Sequence, residues 1–312
     1  MQFFRRAKII DGWLTLAFHA DGVSAAYVKR TVNGMPMVSF CAWYAGNVGP
    51  DELERIGKEL RTGSYQCSTL LGGRDYQVLS VEAPNVPPDE LRTAIRWRLK
   101  DMLDFHVDDA TIDVLDVPVE PNAPGRTHNM LAVAARNTVV RQRMALLGDA
   151  KIGVTVIDIP EMAQRNIAAL MEPEGRGLAM LSFNEDGGLL TVTYRGELYL
   201  SRRIDVPVAQ LAEGGLDART ATFDKITLEL QRSLDHFDRQ YHYINVPKLV
   251  LAPFAADGLP AYLASNLYLP VESLDLGTVL DIAAAPELSD PAMQQRFFLT
   301  IGAALRHEEV KL

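Results

Sequence analysis

A chain of 312 residues with 48% hydrophobic and 23% charged residues suits two lobes or more and is too apolar to be disordered. Its formal net charge of -9 weighs against a nucleic-acid binder, whose footprint is a basic patch. No apolar run approaches the ~20 residues that span a bilayer, and the start, Met1-Gln2-Phe3-Phe4-Arg5-Arg6, lacks the apolar core of a signal peptide, so the reading is a cytoplasmic protein.

Phe3 to Arg6 pair two aromatics with two arginines, which reads as a frayed terminus ahead of a membrane-surface toe. Leu14 to Phe18 and Val23 to Val28 then read as strands flanking His19-Ala20-Asp21-Gly22. Asn33-Gly34 turns the chain into a third strand, Met35 to Tyr44. Pro50 to Leu60 reads as a helix, with Asp51 and Glu52 at its positive end and Leu53, Ile56 and Leu60 on one face. Ser68 to Leu71 and Gln77 to Val81 read as buried strands around Gly72-Gly73, a plain turn because no Lys-Ser/Thr follows as in a phosphate loop.

Pro84-Asn85-Val86-Pro87-Pro88 marks a boundary, since three prolines in five residues fit neither a helix nor a central strand. Asp89 to Phe105 has the spacing of an amphipathic helix. Leu91, Ile95, Leu99, Met102 and Leu103 form its apolar face, and Arg92, Arg96, Arg98 and Lys100 much of its polar side. Strands at Thr111 to Val119 and Met130 to Ala135, around a loop at Pro121 to Gly125, and a helix at Asn137 to Gly148 (Val140, Met144 and Leu147 in step) complete a compact α+β block. Val154 to Ile159 reads as a strand and Pro160 to Leu170 as a helix opening on proline and glutamate.

After Pro173-Glu174-Gly175-Arg176-Gly177 the opening pattern returns. Leu178 to Phe183, Leu189 to Tyr194 and Glu197 to Ile204 are strands about Asn184-Glu185-Asp186-Gly187-Gly188 and Arg195-Gly196. Phe18-x-x-Asp21-Gly22 and Phe183-x-x-Asp186-Gly187 share spacing and flanks, so the chain holds two copies of a three-strand meander followed by helical sequence. Two such halves imply two similar lobes across a cleft. A polar patch at Glu213-Gly214-Gly215 leads to a helix from about 225 to 243 with Asp224 as its N-cap and Leu230, Leu234, Phe237 and Tyr241 as its stripe. A strand at Lys248 to Ala252, a helix at Pro260 to Leu267, a strand at Val271 to Leu274 and a helix at Phe297 to Arg306 close the chain.

Catalytic signatures are missing: no Walker loop, GxGxxG, HExxH, CxxC or GxSxG occurs. His106 near Asp108 and Asp109, and His236 and His242 beside Asp235 and Asp238, read as solvated charge clusters. Cys41 and Cys67 stand alone and read as reduced and structural. Glycine turns with aspartate at Asp21-Gly22, Asp186-Gly187 and Asp257-Gly258 are the remaining candidates, because backbone amides there can hold phosphate and carboxylates can hold magnesium through water.

An ordered set of short motifs runs from Pro87 onward. It comprises Trp97-x-Leu99-x-x-x-Leu103-Asp104-Phe105-x-Val107-Asp108-Asp109-Ala110-x-x-Asp113 and Ala132-Val133-Ala134-Ala135-Arg136. It continues with Glu229-Leu230-Gln231-Arg232-Ser233-Leu234-Asp235, Leu269-Pro270-Val271 with Leu274-Asp275, and Ile301-Gly302-Ala303-Ala304-Leu305-Arg306. In these the chain resembles the PilM-like family of type IV pilus assembly proteins, most of all its members from MSHA-type (mannose-sensitive haemagglutinin) pili. Asp104 stands where the family usually has proline. The resemblance implies an α/β, actin-like (ribonuclease H-like) duplicated two-lobe fold with a small FtsA/SHS2-type α+β insertion. Residues 1–86 with 151–173 would form the first lobe, 87–150 the insertion and 174–312 the second lobe.

The departures from that family bear on activity. Nucleotide-binding members carry Asp-Ile-Gly at both hairpins. Here Ala20 falls about where the first aspartate belongs, and Asn184-Glu185-Asp186-Gly187 lacks the second. Ala252-Pro253-Phe254 replaces the consecutive glycines of the adenosine loop, and proline removes an amide donor there while phenylalanine adds bulk. The expectation is a vestigial nucleotide cleft at Asp21, Gly22, Asp186, Gly187, Gly188, Asp257 and Gly258, with no catalytic residue, no cofactor and no metal.

The implied role is a scaffold on the inner face of the inner membrane. It would dock the cytoplasmic N-terminal peptide of a PilN-like membrane protein through the insertion (Arg92, Arg96, Trp97, Phe105), join it to the pilus assembly ATPase complex, and admit a homodimer. The enzyme alternative is an actin-type ATPase using ATP and Mg²⁺ at Asp21, Asp186 and Asp257. A third is a GspL-like component of a type II secretion system. Members of that kind continue into a transmembrane helix, whereas this sequence stops at Leu312, which favours a separate subunit.

Overall fold

A computed structural model of the chain describes residues 10–31, 34–87, 89–119, 128–212, 215–254 and 258–307. The expectations at 3–6, Asn33, 121–125, Glu213-Gly214 and Asp257 therefore lie outside the described residues. In chain order the first half runs β1 (Ile10–His19), β2 (Gly22–Lys29), β3 (Met37–Ala45), α1 (Pro50–Glu59) and β4 (Tyr65–Leu70). Next come β5 (Tyr76–Glu82), α2 (Leu91–Leu99), β6 (Ala110–Asp116), β7 (Asn129–Arg136), α3 (Asn137–Asp149), β8 (Val154–Asp158) and α4 (Pro160–Ala168). The second half runs β9 (Leu178–Asn184), β10 (Gly187–Tyr194), β11 (Glu197–Ile204), α5 (Val208–Ala212), α6 (Leu216–Gln240), β12 (Leu249–Leu251), α7 (Leu259–Asn266), β13 (Val271–Ser273) and α8 (Pro291–Ala304).

The strands form two five-stranded sheets, β3-β2-β1-β4-β8 and β11-β10-β9-β12-β13, and a three-stranded sheet, β5-β7-β6. Counting strands within each half, both large sheets have the order 3-2-1-4-5. In each, an antiparallel meander is followed by two parallel strands. The duplication expected from the hairpins thus extends through the parallel strands. It continues into the helix after each fifth strand, since α4 follows β8 as α8 follows β13.

Those two helices pack on each other between the sheets. A Cβ built on Gly302 would lie 2.3 Å from the Ala163 carbonyl oxygen, so only glycine permits this approach. Asn166 fixes the crossing by donating from Nδ2 to the Gly302 carbonyl at 2.9 Å. α4 also carries Gln164, wholly buried, whose amide donates to the Met180 carbonyl (2.9 Å), the Leu189 carbonyl (3.1 Å) and Thr191 Oγ1 (2.9 Å). A buried amide with this many partners ties the helix to β9 and β10 at no desolvation loss.

Several element ends differ from the sequence reading. α6 begins at Leu216 and not near 225, because its first turns carry no apolar stripe; Asp224 lies inside it and accepts from Tyr262 Oη at 2.5 Å. α8 begins at Pro291, six residues before Phe297, capped by Asp290 Oδ1 on the Ala292 amide at 2.9 Å. α2 ends at Leu99, which leaves Met102 46% exposed, and Met144 on α3 is 61% exposed although it shares spacing with buried Leu147. The pairing of β5 with β7 places the switch into the small sheet before Tyr76, whereas the sequence boundary stood at 87 after the prolines. α2 covers one face of the small sheet, while Val117 and Leu131 on the other join the core of the second lobe.

The α4–α8 contact gives a direct test. Gly302→Val is expected to destabilise the fold by about 2 kcal/mol, the usual range for overpacking a close contact. A thermal-denaturation midpoint equal to that of the parent chain would show that the crossing tolerates a side chain.

Candidate functional site

The two hairpins meet at the cleft. In each, two residues form the turn: Ala20 and Asp21 between His19 and Gly22, Glu185 and Asp186 between Asn184 and Gly187. The glycines open the next strand and do not sit at the turn corners, as the sequence had suggested. Gly22 has no positive φ. It is small because a Cβ would lie 2.4 Å from the Tyr44 carbonyl oxygen. Gly187 does take φ +128°, and a side chain on Gly188 would strike the Phe183 ring at 2.8 Å. The Asn184 side chain accepts from the Asp186 amide at 2.9 Å and shapes the second turn.

Carboxylates of the second hairpin close onto backbone amides of the first lobe. Glu185 Oε2 accepts from the Ala20 N–H at 3.2 Å, and Glu185 Oε1 lies 3.8 Å from His19 Nδ1. Asp186 Oδ2 accepts from the Gly73 N–H at 2.6 Å, and its Oδ1 lies 3.6 Å from Arg74 Nε. Gly72 N–H is taken by Asp75 Oδ2 at 3.0 Å. Gly72-Gly73 is thus a turn, as read from the sequence, yet its amides point at carboxylates, which sequence alone did not show. Asp21 is largely exposed and lies 3.7 Å from Arg296 Nη2.

Beneath this loop is a buried polar cluster that the sequence reading missed. Glu161, wholly buried on α4, accepts from Tyr76 Oη, and Arg203 Nη2 reaches Glu161 Oε1 at 3.1 Å and Tyr76 Oη at 2.5 Å. Arg203 Nη1 also donates to the Gly73 carbonyl. Burial, and then the Glu161 carboxylate, push the Tyr76 phenol well above its ordinary range, so it stays a donor. The cluster joins α4, β5 and β11, three elements far apart in the chain. The Pro160-Glu161 pair had signalled only a helix start.

Beside the hairpins lies a cavity of about 470 Å³ whose walls include Trp43, Phe183, Pro253 and Phe298. The Arg296 guanidinium sits over the Trp43 ring at 4.2 Å, and the Phe254 ring is 5.9 Å from that of Phe183. His19 Nε2 is 2.8 Å from Ser24 Oγ, which is 2.6 Å from Thr300 Oγ1, a chain of polar contacts from cleft to α8. Gly258 takes φ +95° as the N-cap of α7. A Cβ there would meet Arg219 and Phe223, so its neighbours are side chains of α6 and not the hairpins. Asp21, Gly22, Asp186, Gly187 and Gly188 are therefore brought together, and Gly258 stands apart.

Among the described residues no group of three His, Cys, Asp or Glu could hold a metal ion. The amides and carboxylates that the sequence put forward for a nucleotide contact protein groups in this structure. The Ala20 and Gly73 amides hold carboxylates, Asp186 holds Gly73 and Arg74, and Asp21 faces Arg296. His106 accepts from the Asp108 amide as a small cap, consistent with a solvated loop. Both cysteines are free, and burial raises the Cys67 thiol to about 11.

The residues expected to meet a partner are dispersed. Arg96 donates to the carbonyls of Val107 (2.6 Å) and Ala110 (3.2 Å), so it braces the small lobe. Arg92 pairs with Asp113 at 3.2 Å, and Phe105 lies under the Arg136 guanidinium at 4.3 Å. Trp97 is 70% exposed. Arg92 and Arg96, with Thr111, Ile112 and Asn137, line a groove of about 470 Å³ between α2 and β6, and neither Trp97 nor Phe105 lines it.

Comparison with known proteins bears on this arrangement. The family model for the type IV pilus assembly protein PilM matches residues 51–181, less than half of the chain. None of the curated proteins matches it in sequence. Among solved structures it is similar to the PilM-PilN type IV pilus biogenesis complex, with a TM-score of 0.70 and 19% identity over 95% of this chain and 98% of that one. It is also similar to the cytoplasmic domain of EpsL, an inner membrane component of the type II secretion system of Vibrio cholerae. There the TM-score is 0.54 and the identity 17%, over 96% of this chain and 97% of that one. The fold is the actin-like duplicated two-lobe fold. No helix among the described residues is long and apolar enough to cross a membrane.

His19 yields a test of the cleft. Burial lowers its imidazole below 6.5, and Arg296 adds to this, while Glu185 and Asp21 oppose it. The folded chain therefore binds the proton less readily than the unfolded one. Its contribution to stability is whole above about pH 6.5 and is lost as pH falls through the folded value. Urea midpoints of the parent chain should drop between about pH 7.5 and about pH 5.5 more than those of His19→Gln. Equal drops would place His19 in a solvated setting.

Proposed function

We propose that the chain is a PilM-like scaffold of type IV pilus biogenesis, of the MSHA type, working on the cytoplasmic side of the inner membrane with a nucleotide cleft that no longer functions. The observation that carries this reading is the family match over residues 51–181, because that segment contains the whole small lobe from β5 to α3. The fold it shares with the PilM-PilN structure over nearly the full length supports the same reading.

The docked ligand in this reading is the cytoplasmic N-terminal peptide of a PilN-like inner-membrane protein, through which the scaffold reaches the membrane and the assembly ATPase complex. The groove between α2 and β6 is the seat we assign to it. β6 is the edge of the small sheet, so its free backbone groups can pair with an extended peptide, and Arg92 stands at the rim. Support for a silent cleft comes from Glu185 and Asp186, whose carboxylates sit on amides that a phosphate would otherwise use.

The test uses calorimetry with the cytoplasmic N-terminal peptide of a PilN-like protein. Binding in the micromolar range is expected with or without nucleotide, and Arg92→Glu should weaken it about tenfold. No binding under either condition sinks the scaffold reading. A fluorescent ATP analogue with Mg²⁺ should show no saturable binding below about 1 mM. Micromolar, magnesium-dependent binding that weakens in Asp186→Ala would establish the ATPase alternative. Capture of a secretion-system tail peptide in place of the pilus one would establish the GspL-like alternative.

A further inference from the structure

The cavity beside the hairpins is sorted by polarity from floor to mouth. It holds about 470 Å³, a volume that suits a small organic ligand, and residues of both halves of the chain line it. Phe183, Pro253 and Phe298 are its buried apolar liners, and Trp43, Val208 and Leu299 are half-buried. The exposed liners are Ala20, Asp21, Glu185, Ala292 and Arg296, so the ionised groups stand at the mouth and the aromatic surface lies within.

The balance of charge at that mouth is negative. Among the described residues that line the cavity, Asp21 and Glu185 are the acids, and Arg296 is the one lysine or arginine, which leaves a surplus of one negative charge. His19 adds none near neutral pH, because burial lowers its imidazole below 6.5. The Ala20 N–H, which could otherwise draw an anion, already donates to Glu185 Oε2 at 3.2 Å.

The chain itself seats one organic cation here. The Arg296 guanidinium lies over the Trp43 ring at 4.2 Å, with Nη2 3.7 Å from Asp21 Oδ2. An aromatic face combined with a carboxylate is how organic cations are recognised. Arg296 takes the Trp43 face and offsets one carboxylate. The Phe183 and Phe298 rings and the charge of a second carboxylate are left over. An anion of similar shape would meet the surplus negative charge. A neutral ligand would strip water from the carboxylates with no compensating contact.

We propose that this cavity binds a small organic monocation, an amidinium, guanidinium or ammonium group on an apolar body, with the body against Phe183 and Phe298 and the cation at the mouth beside Asp21 and Glu185. Arg296 is then a tethered competitor. Its charge repels the ligand and its stacking withholds the Trp43 face, so removing it strengthens binding, whereas removing Asp21 weakens it. The groove beside β6 lies in the small lobe, so the inference does not rest on the peptide seat, and its failure leaves that seat untouched.

Calorimetry of the full chain at about pH 7.5 tests this with 4-aminobenzamidine and with 4-aminobenzoate, an anion of the same shape. The amidine should bind with a Kd of about 0.2 mM, the usual yield of about ten non-hydrogen atoms, and the benzoate at least about tenfold more weakly. Asp21→Asn should weaken the amidine about fourfold and Arg296→Gln should tighten it by about as much, the range for single charges at an exposed rim. Ala292→Trp, at an exposed position, should keep the thermal midpoint, fill the mouth and abolish binding. No saturation below about 5 mM overturns the proposal, as does benzoate binding as tight as that of the amidine. Amidine binding that survives Ala292→Trp overturns it too, by placing the probe elsewhere on an acidic chain. So do shifts of the same sign in Asp21→Asn and Arg296→Gln.

Discussion

Backbone amides that open into a cleft must be satisfied, and here the chain satisfies them itself. Glu185 and Asp186, neighbours on one turn, place carboxylates on the Ala20 and Gly73 amides of the opposite lobe. Charge-assisted bonds of this kind are among the stronger hydrogen bonds a protein makes. They fix the distance between the hairpins and hold the loop between β4 and β5 down on the second lobe. That loop in turn positions the Gly73 carbonyl that Arg203 grips. The buried Glu161 has Arg203 and Tyr76 as partners because the loop lies where it does, and a buried carboxylate without partners is among the costliest groups a fold can contain. The cleft contacts and the interlobe core are therefore one connected arrangement.

The polar residues of α4 show how a duplicated fold is locked into a single geometry. Gln164 reads the carbonyls of β9 and β10, Glu161 reads β5 and β11, and Asn166 reads α8, so one helix of the first half addresses the second lobe and the small lobe. Apolar packing would allow the helices to slide by fractions of an ångström. Hydrogen bonds to fixed carbonyls, with Gly302 seated against Ala163, do not.

Much of this was legible in the sequence, for physical reasons that can be assigned to residues. The repeat Phe18-x-x-Asp21-Gly22 and Phe183-x-x-Asp186-Gly187 marked two meanders because strand alternation and turn chemistry are local properties, and both sheets follow from it. The prolines from Pro84 to Pro88 fall between β5 and α2, inside the small lobe, whose sheet starts earlier, at Tyr76, because the pairing of β5 with β7 joins residues about fifty positions apart, which no local signal encodes. The starts of α6 and α8 were missed where polar first turns carry no periodicity. The cleft residues Asp21 and Asp186 were found from turn chemistry. Glu185, His19, Glu161 and Arg203 were not, because each acquires its role from a partner in the other lobe or the small lobe.

The two halves share a strand order and differ in where their charge sits. In the second half, the turn carries Glu185 and Asp186 inward across the cleft, and the outer strand β11 sends Arg203 toward the same place. In the first half, Ala20 offers only its amide, and the outer strand β3 has no charged residue. The second half thus supplies the carboxylates that the Ala20 and Gly73 amides of the first half satisfy, with Asp21, His19 and Arg74 of the first half facing Arg296, Glu185 and Asp186. The carboxylates of the second half thus bridge the two hairpins, while a cavity remains beside them and a groove remains along β6, the edge of the small sheet, where backbone groups can meet another chain.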